Sequence, residues 1–153
     1  MRLTGTGLRG MGRFSDEYLD ELLARSDQIA LAELQAILFS WHGRDSSQTD
    51  YKLPPAIFVY VETITWFSQA IRSGVWTYYE ITPLDRQQAM REALVTWAPQ
   101  DYAAQYGYGM SCWKDAQKIY ALDRWIQDRE ESCNVWLMEL LRQHREDLAL
   151  LNT

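Results

Sequence analysis

Apolar residues recur at three- and four-residue spacing along most of this chain, and no strand pattern of consequence interrupts them. That is the period of helices packed by one face, so the pattern predicts an all-α fold. The densest stretch is Pro54 to Tyr79, PPAIFVYVETITWFSQAIRSGVWTYY. Pro54 and Pro55 suit a first helical turn, where a missing N–H costs nothing. Gly74 suits the left-handed residue that follows many last turns. On a helical projection Tyr60, Ile64, Phe67 and Ile71 share one face, and Phe58, Glu62, Trp66 and Gln69 lie nearly opposite. A helix apolar almost all round packs on several sides, so residues 55–73 are expected to be the central helix.

The flanking segments read as shorter helices. Ser15 reads as an N-cap, with Asp16 and Glu17 in the first turn, before a helix that buries Tyr18, Leu19, Leu22 and Leu23. Ser26 or Asp27 caps a second, with Leu31, Leu34, Ile37, Leu38 and Trp41 inward, closed by His42 and Gly43. Arg44–Leu53 is a polar loop without recognisable catalytic spacing. Val75–Glu80 reads as a short turn packing Trp76 and Tyr79, and Thr82-Pro83 as the start of a helix facing inward with Met90, Ala93, Leu94 and Trp97. Pro99 opens a short helix that Gly107 and Gly109 are expected to break, in a turn whose backbone approaches another element. Two long helices finish the chain. The last is expected to be capped by Ser132 and striped by Cys133, Leu137, Leu140, Leu141, His144, Leu148 and Leu151. The reading is six to eight helices in one domain over residues 14–153, with residues 1–13 a flexible tail.

Composition narrows the function more than it specifies it. At 153 residues, one domain buries roughly 70% of its unfolded surface, and seven Trp and nine Tyr supply core material. Fifteen Lys and Arg against 21 Asp and Glu give a formal charge of −6, which disfavours direct binding to nucleic acid or an anionic membrane. The longest apolar run, Ala56–Val61, is too short to span a bilayer, and Met1–Phe14 holds no secretory-type run, so the expected location is the cytoplasm. Cys112 and Cys133 lack paired-motif spacing and read as lone thiols, and neither histidine stands at ligand spacing from a Cys or acid, so no metal or other cofactor is expected. Gly5 to Gly10 matches the dinucleotide fingerprint letter for letter, but only four residues stand before it here and no βαβ unit follows, so a nucleotide site is not expected.

Two sets of polar residues remain as candidates. Glu62 sits mid-helix among aromatic residues, where a carboxylate needs a partner. Open to a cleft lined by Trp66, Gln69, Trp76, Tyr78, Tyr79 and Tyr106, it would serve as a general base; paired with an arginine or a tyrosine hydroxyl, it would be structural. The second set is acidic: Asp16, Glu17, Asp20 and Glu21 on the first helix, and Asp128, Glu130 and Glu131 near a helix junction. Solvated surface is the ordinary reading of such groups. Spaced carboxylates can also stand in for a phosphate backbone toward a basic protein.

The segment Arg72-Ser73-Gly74-Val75-Trp76-Thr77-Tyr78-Tyr79, followed by Ala93-Leu94-Val95-Thr96-Trp97-Ala98-Pro99, resembles a bacterial all-helical domain family that includes a DNA-mimic protein. Gly74, Tyr78 and Tyr79 fit the family pattern, and Ala93-Leu94 with Ala98 fit it loosely. Arg72, Ser73 and Thr77 replace its Asn, Gly and Gln. Over roughly residues 55–110, the resemblance implies a non-catalytic helical domain that presents acids to a DNA-binding protein. Together these observations favour a cytoplasmic protein-interaction module, with DNA mimicry its sharpest form and a homodimer compatible with it. The alternative is a small enzyme or ligand-binding protein built around Glu62.

Overall fold

The structure, a computed structural model of the chain, describes residues 15–25, 27–40 and 45–151. The tail expected over residues 1–13, the inward Trp41 and the stop expected at His42 and Gly43 lie outside the described residues. Nine helices occur among those described, and no strand. They are α1 (Asp16–Ala24), α2 (Gln28–Phe39), α3 (Pro55–Ser73), α4 (Trp76–Ile81), α5 (Leu84–Trp97), α6 (Tyr102–Cys112), α7 (Ala116–Asp128), α8 (Glu130–Gln143) and α9 (Arg145–Leu150).

The central helix is α3. It packs against α2, α4, α5, α7 and α8, and twelve of its nineteen residues are buried, which a one-sided amphipathic helix could not achieve. Its start at Pro55 and its end at Gly74, with φ +99°, follow the proline and glycine signals. Ile71 is the exception on its apolar face, 52% exposed at the rim of the cleft between α2, α3 and α8. No helix among the described residues is long and apolar enough to cross a membrane.

Side-chain caps set the starts of the first two helices. Ser15 accepts from Tyr18 N at 3.0 Å and Asp27 accepts from Ala30 N at 2.8 Å, each satisfying an amide that the first turn leaves unpaired. Arg142 reaches from α8 to the last turn of α1, donating to Leu23 O and Arg25 O.

Three expectations change. The last helix is two helices, because His144 leaves helical geometry (φ −119°, ψ 33°) and starts α9 with its own carbonyl accepting from Leu148 N. Its Nδ1 lies 2.9 Å from Leu140 O and its ring packs edge-on against Trp97, 4.8 Å between centroids, contacts that hold the break. This division raises the helix count above six to eight. Ser132 is not an N-cap, since α8 already starts at Glu130 and the Ser132 hydroxyl turns back to Arg129 O. Finally, α6 runs unbroken through Gly107 and Gly109. The backbone does approach another element there: a Cβ on Gly109 would lie 2.3 Å from the Tyr79 ring and hydroxyl. The glycine serves packing rather than turning.

Candidate functional site

Glu62 lies in the centre of the core, 1% exposed, with both carboxylate oxygens occupied. Tyr51 donates to Oε1 at 2.6 Å, and Tyr78 donates to Oε2. A phenol has one proton to give. With that of Tyr78 committed to Glu62, the 2.6 Å contact between the Tyr78 and Tyr106 hydroxyls has Tyr106 as donor. Tyr79 completes the chain by donating to Tyr106 O at 3.0 Å. Burial pushes the Tyr78, Tyr79 and Tyr106 hydroxyls well above the usual phenol range, so they stay protonated donors.

Two residues missed by sequence reading build this network. Tyr51 comes from the polar loop, where it and Lys52 take positive φ (57° and 62°), turning the ring inward. Arg86 on α5 stacks its guanidinium 4.1 Å over the Tyr51 ring and donates to the carbonyls of Ser46, Gln48 and Thr49. The fork geometry of a guanidinium makes this possible and clips the loop onto α5. Neither residue has a periodic signal. An arginine beside glutamine in a helix otherwise polar at those positions is a weak hint at most.

The expected aromatic cleft therefore divides into interior and surface. Trp66, Tyr78, Tyr79 and Tyr106 are buried with Glu62, and Trp66 meets Tyr106 edge-to-face at 5.0 Å. Gln69 is half-buried near the end of α3, where its Oε1 lies 3.2 Å from the Thr77 hydroxyl and 3.4 Å from that of Ser73. Trp76 turns outward at 41% exposure. A fully enclosed carboxylate with both oxygens bonded has no route to a substrate proton.

Trp76 instead borders a surface groove of about 450 Å³. Trp113 at the end of α6 and Tyr120 on α7 form its other aromatic walls, with Asp123, Gly74 and Lys114 around them. Tyr120 is 57% exposed. Asp123 Oδ1 accepts from Val75 N at 2.8 Å, fixing the carboxylate at the α3–α4 junction. Partial burial raises its pKa above the usual carboxylate value, against the opposing pull of that amide. A second cleft, between α2, α3 and α8, contains the buried Thr63 hydroxyl but measures only about 190 Å³, below the roughly 300–1,000 Å³ of ordinary ligand pockets.

Both acidic groups lie on the surface, apart from one another. Asp16, Glu17, Asp20 and Glu21 are exposed on α1, and Arg145 binds Asp20 at 2.6 Å and approaches Asp16 at 4.0 Å. That guanidinium holds the Asp20 carboxyl below its ordinary range. Asp128, Glu130 and Glu131 are exposed at the opposite end of α8 from Arg145. The fourteen residues of α8 put about 20 Å between the two groups along its axis, more than twice the ~8 Å screening length at physiological salt.

Among the described residues, no group of three or more His, Cys, Asp or Glu is arranged to hold a metal ion. Cys112 and Cys133 are free thiols, and burial pushes that of Cys133 up to about 12. Comparisons of the chain with protein-family models, curated proteins and solved structures found no match.

Proposed function

We propose that the chain is a non-catalytic protein-interaction module whose recognition surface is the groove between Trp76, Trp113 and Tyr120. The observation that carries this reading is the gathering of three large aromatic rings, two of them well exposed, around one concavity. Exposed Trp and Tyr bring rigid contact area at small entropic cost, and such residues dominate interface centres. The formal charge of −6 favours a basic partner. The family resemblance near residues 55–110 points to the same class of function.

The enzyme alternative draws on Glu62, whose oxygens are spent on tyrosines. Acidic DNA mimicry draws on two groups about 20 Å apart, one of them paired with Arg145, and has the weaker support. A photo-cross-linking amino acid at position 120 tests the choice, with Val95 on α5, also exposed, as the control position. Irradiated cells should yield discrete protein adducts from position 120 and none of the same size from position 95. Those adducts should persist when Asp16, Glu17, Asp20 and Glu21 are neutralised. No adduct, or adducts lost on that neutralisation, would contradict the proposal.

A further inference from the structure

The cleft between α2, α3 and α8 is small, but it is lined by polar groups that the fold leaves unused. Thr63 is the most enclosed of its lining residues, 0% exposed, and its hydroxyl has no hydrogen-bond partner among the described residues. A threonine inside a helix can turn its hydroxyl back to the carbonyl four residues earlier, as Thr65 does to Val61 O at 3.0 Å. Thr63 makes no such bond to Val59 O. Leaving a buried hydroxyl unbonded is costly, so this one marks a place for a polar atom from outside the chain.

The rest of the lining sets the chemistry of that atom. Gln28 and Gln35 on α2, Ser68 on α3 and Asn134 on α8 also border the cleft, and all four are neutral groups that both donate and accept. No lysine, arginine or histidine lines it, so nothing there balances an anion. Glu130, its one carboxylate, is exposed to solvent. Cys133 is buried among the lining residues, and burial pushes its thiol up to about 12, so the enclosed end carries no charge. Leu31, Ile64, Phe67 and Leu137 supply apolar wall. The volume of about 190 Å³ leaves room for about six heavy atoms, at the ~30 Å³ that one water occupies.

We infer that this cleft binds a small neutral alcohol of about six heavy atoms, its hydroxyl bonded to Thr63 Oγ1 and its carbon body against Ile64, Phe67 and Leu137. A hydroxyl answers Thr63 with a single polar atom, whereas a carboxamide would bury a second one among apolar walls. A charged head would lose its water with no buried counter-charge to replace it. The cleft shares no lining residue with the groove at Trp76, so this assignment stands apart from the interaction reading.

The test adds cyclohexanol, a probe of this size, to the whole chain while the methyl signals of Ile64 and Leu137 are followed by NMR. Both should shift together and saturate. Cyclohexanecarboxylate and cyclohexylammonium should bind at least about tenfold more weakly, because each must bury a charge. Thr63→Val keeps the shape and removes the hydroxyl. It should weaken cyclohexanol binding about fivefold, with a Tm no lower than the parent's, since it gives up no bond within the chain. Shifts that grow without saturating would mean solvent contact only and overturn the site. Tighter binding of either charged probe would overturn the neutral class, and that comparison needs no variant. Unchanged affinity in Thr63→Val would overturn the hydroxyl assignment. A Tm clearly below the parent's would show that Thr63 already has a partner within the chain, which overturns it too.

Discussion

Tyr79 occupies the space that any side chain at position 109 would need: a Cβ there would stand 2.3 Å from its hydroxyl and ring. From that position the hydroxyl donates to Tyr106 O, one turn earlier on the same helix. Gly109→Ala must displace Tyr79 and is expected to destabilise by about 1–3 kcal/mol, the usual cost of overpacking. Gly107→Ala should behave oppositely. The atoms nearest its Cβ would be the guanidinium end of Arg91, from 3.0 Å, which can swing away, while alanine gains up to about 1 kcal/mol of helix propensity. Urea unfolding of both variants should place them on opposite sides of the parent, or Gly109 clearly below Gly107.

The tyrosine chain predicts an ordered set of losses. Tyr106→Phe removes an outer donor and leaves both bonds to Glu62, so it should cost about 0.5–1.5 kcal/mol. Tyr51→Phe leaves one buried carboxylate oxygen unpaired and should cost about 1–3 kcal/mol. Tyr78→Phe should cost the most, because it strips the other oxygen and strands Tyr106 as well. Equal, negligible losses at all three positions would mean that the network is not formed in solution.

Two aspartates should respond to acid in opposite directions. Asp27 lies below its ordinary 3.8, first because Ala30 N–H donates to it and then because Arg25 does. Its contribution is present above 3.8 and is lost as pH falls through the lower, folded value. Asp123 lies above 3.8 because burial disfavours its charge, so stability declines as pH rises from 3.8 through its folded value. Asp27→Asn should therefore flatten the acid-side loss, and Asp123→Asn should remove the decline on the other side. Unfolding midpoints measured from about pH 3 to 6 would check both signs. The same slope change from both variants would contradict this assignment.

What the sequence displayed was local. Ser15 as a cap, Asp27 as one of two cap candidates beside Ser26, Pro55 and Gly74 as the limits of the central helix, and the apolar girth of α3 all act within a turn or two of themselves. The partners of Glu62 were not legible, because Tyr51 reaches it through a loop with two positive-φ residues, and Arg86 holds that loop from another helix. Gly109 reads as a helix breaker until the neighbouring tyrosine is in view. The break at His144 has no glycine or proline to announce it. Nor do Trp76, Trp113 and Asp123 share any sequence spacing. Only the packing of α7 against α3 and α6 assembles them.

The central claim is that recognition uses the outer aromatic groove while the Glu62 network serves the core. The most direct measurement follows the tryptophan indole N–H signals by NMR as the protein partner captured at position 120 is added. Trp76 and Trp113 should shift progressively and saturate together, with the buried Trp66 unmoved. Shifts at Trp66 with none at Trp76 or Trp113 would place binding in the interior and contradict the account.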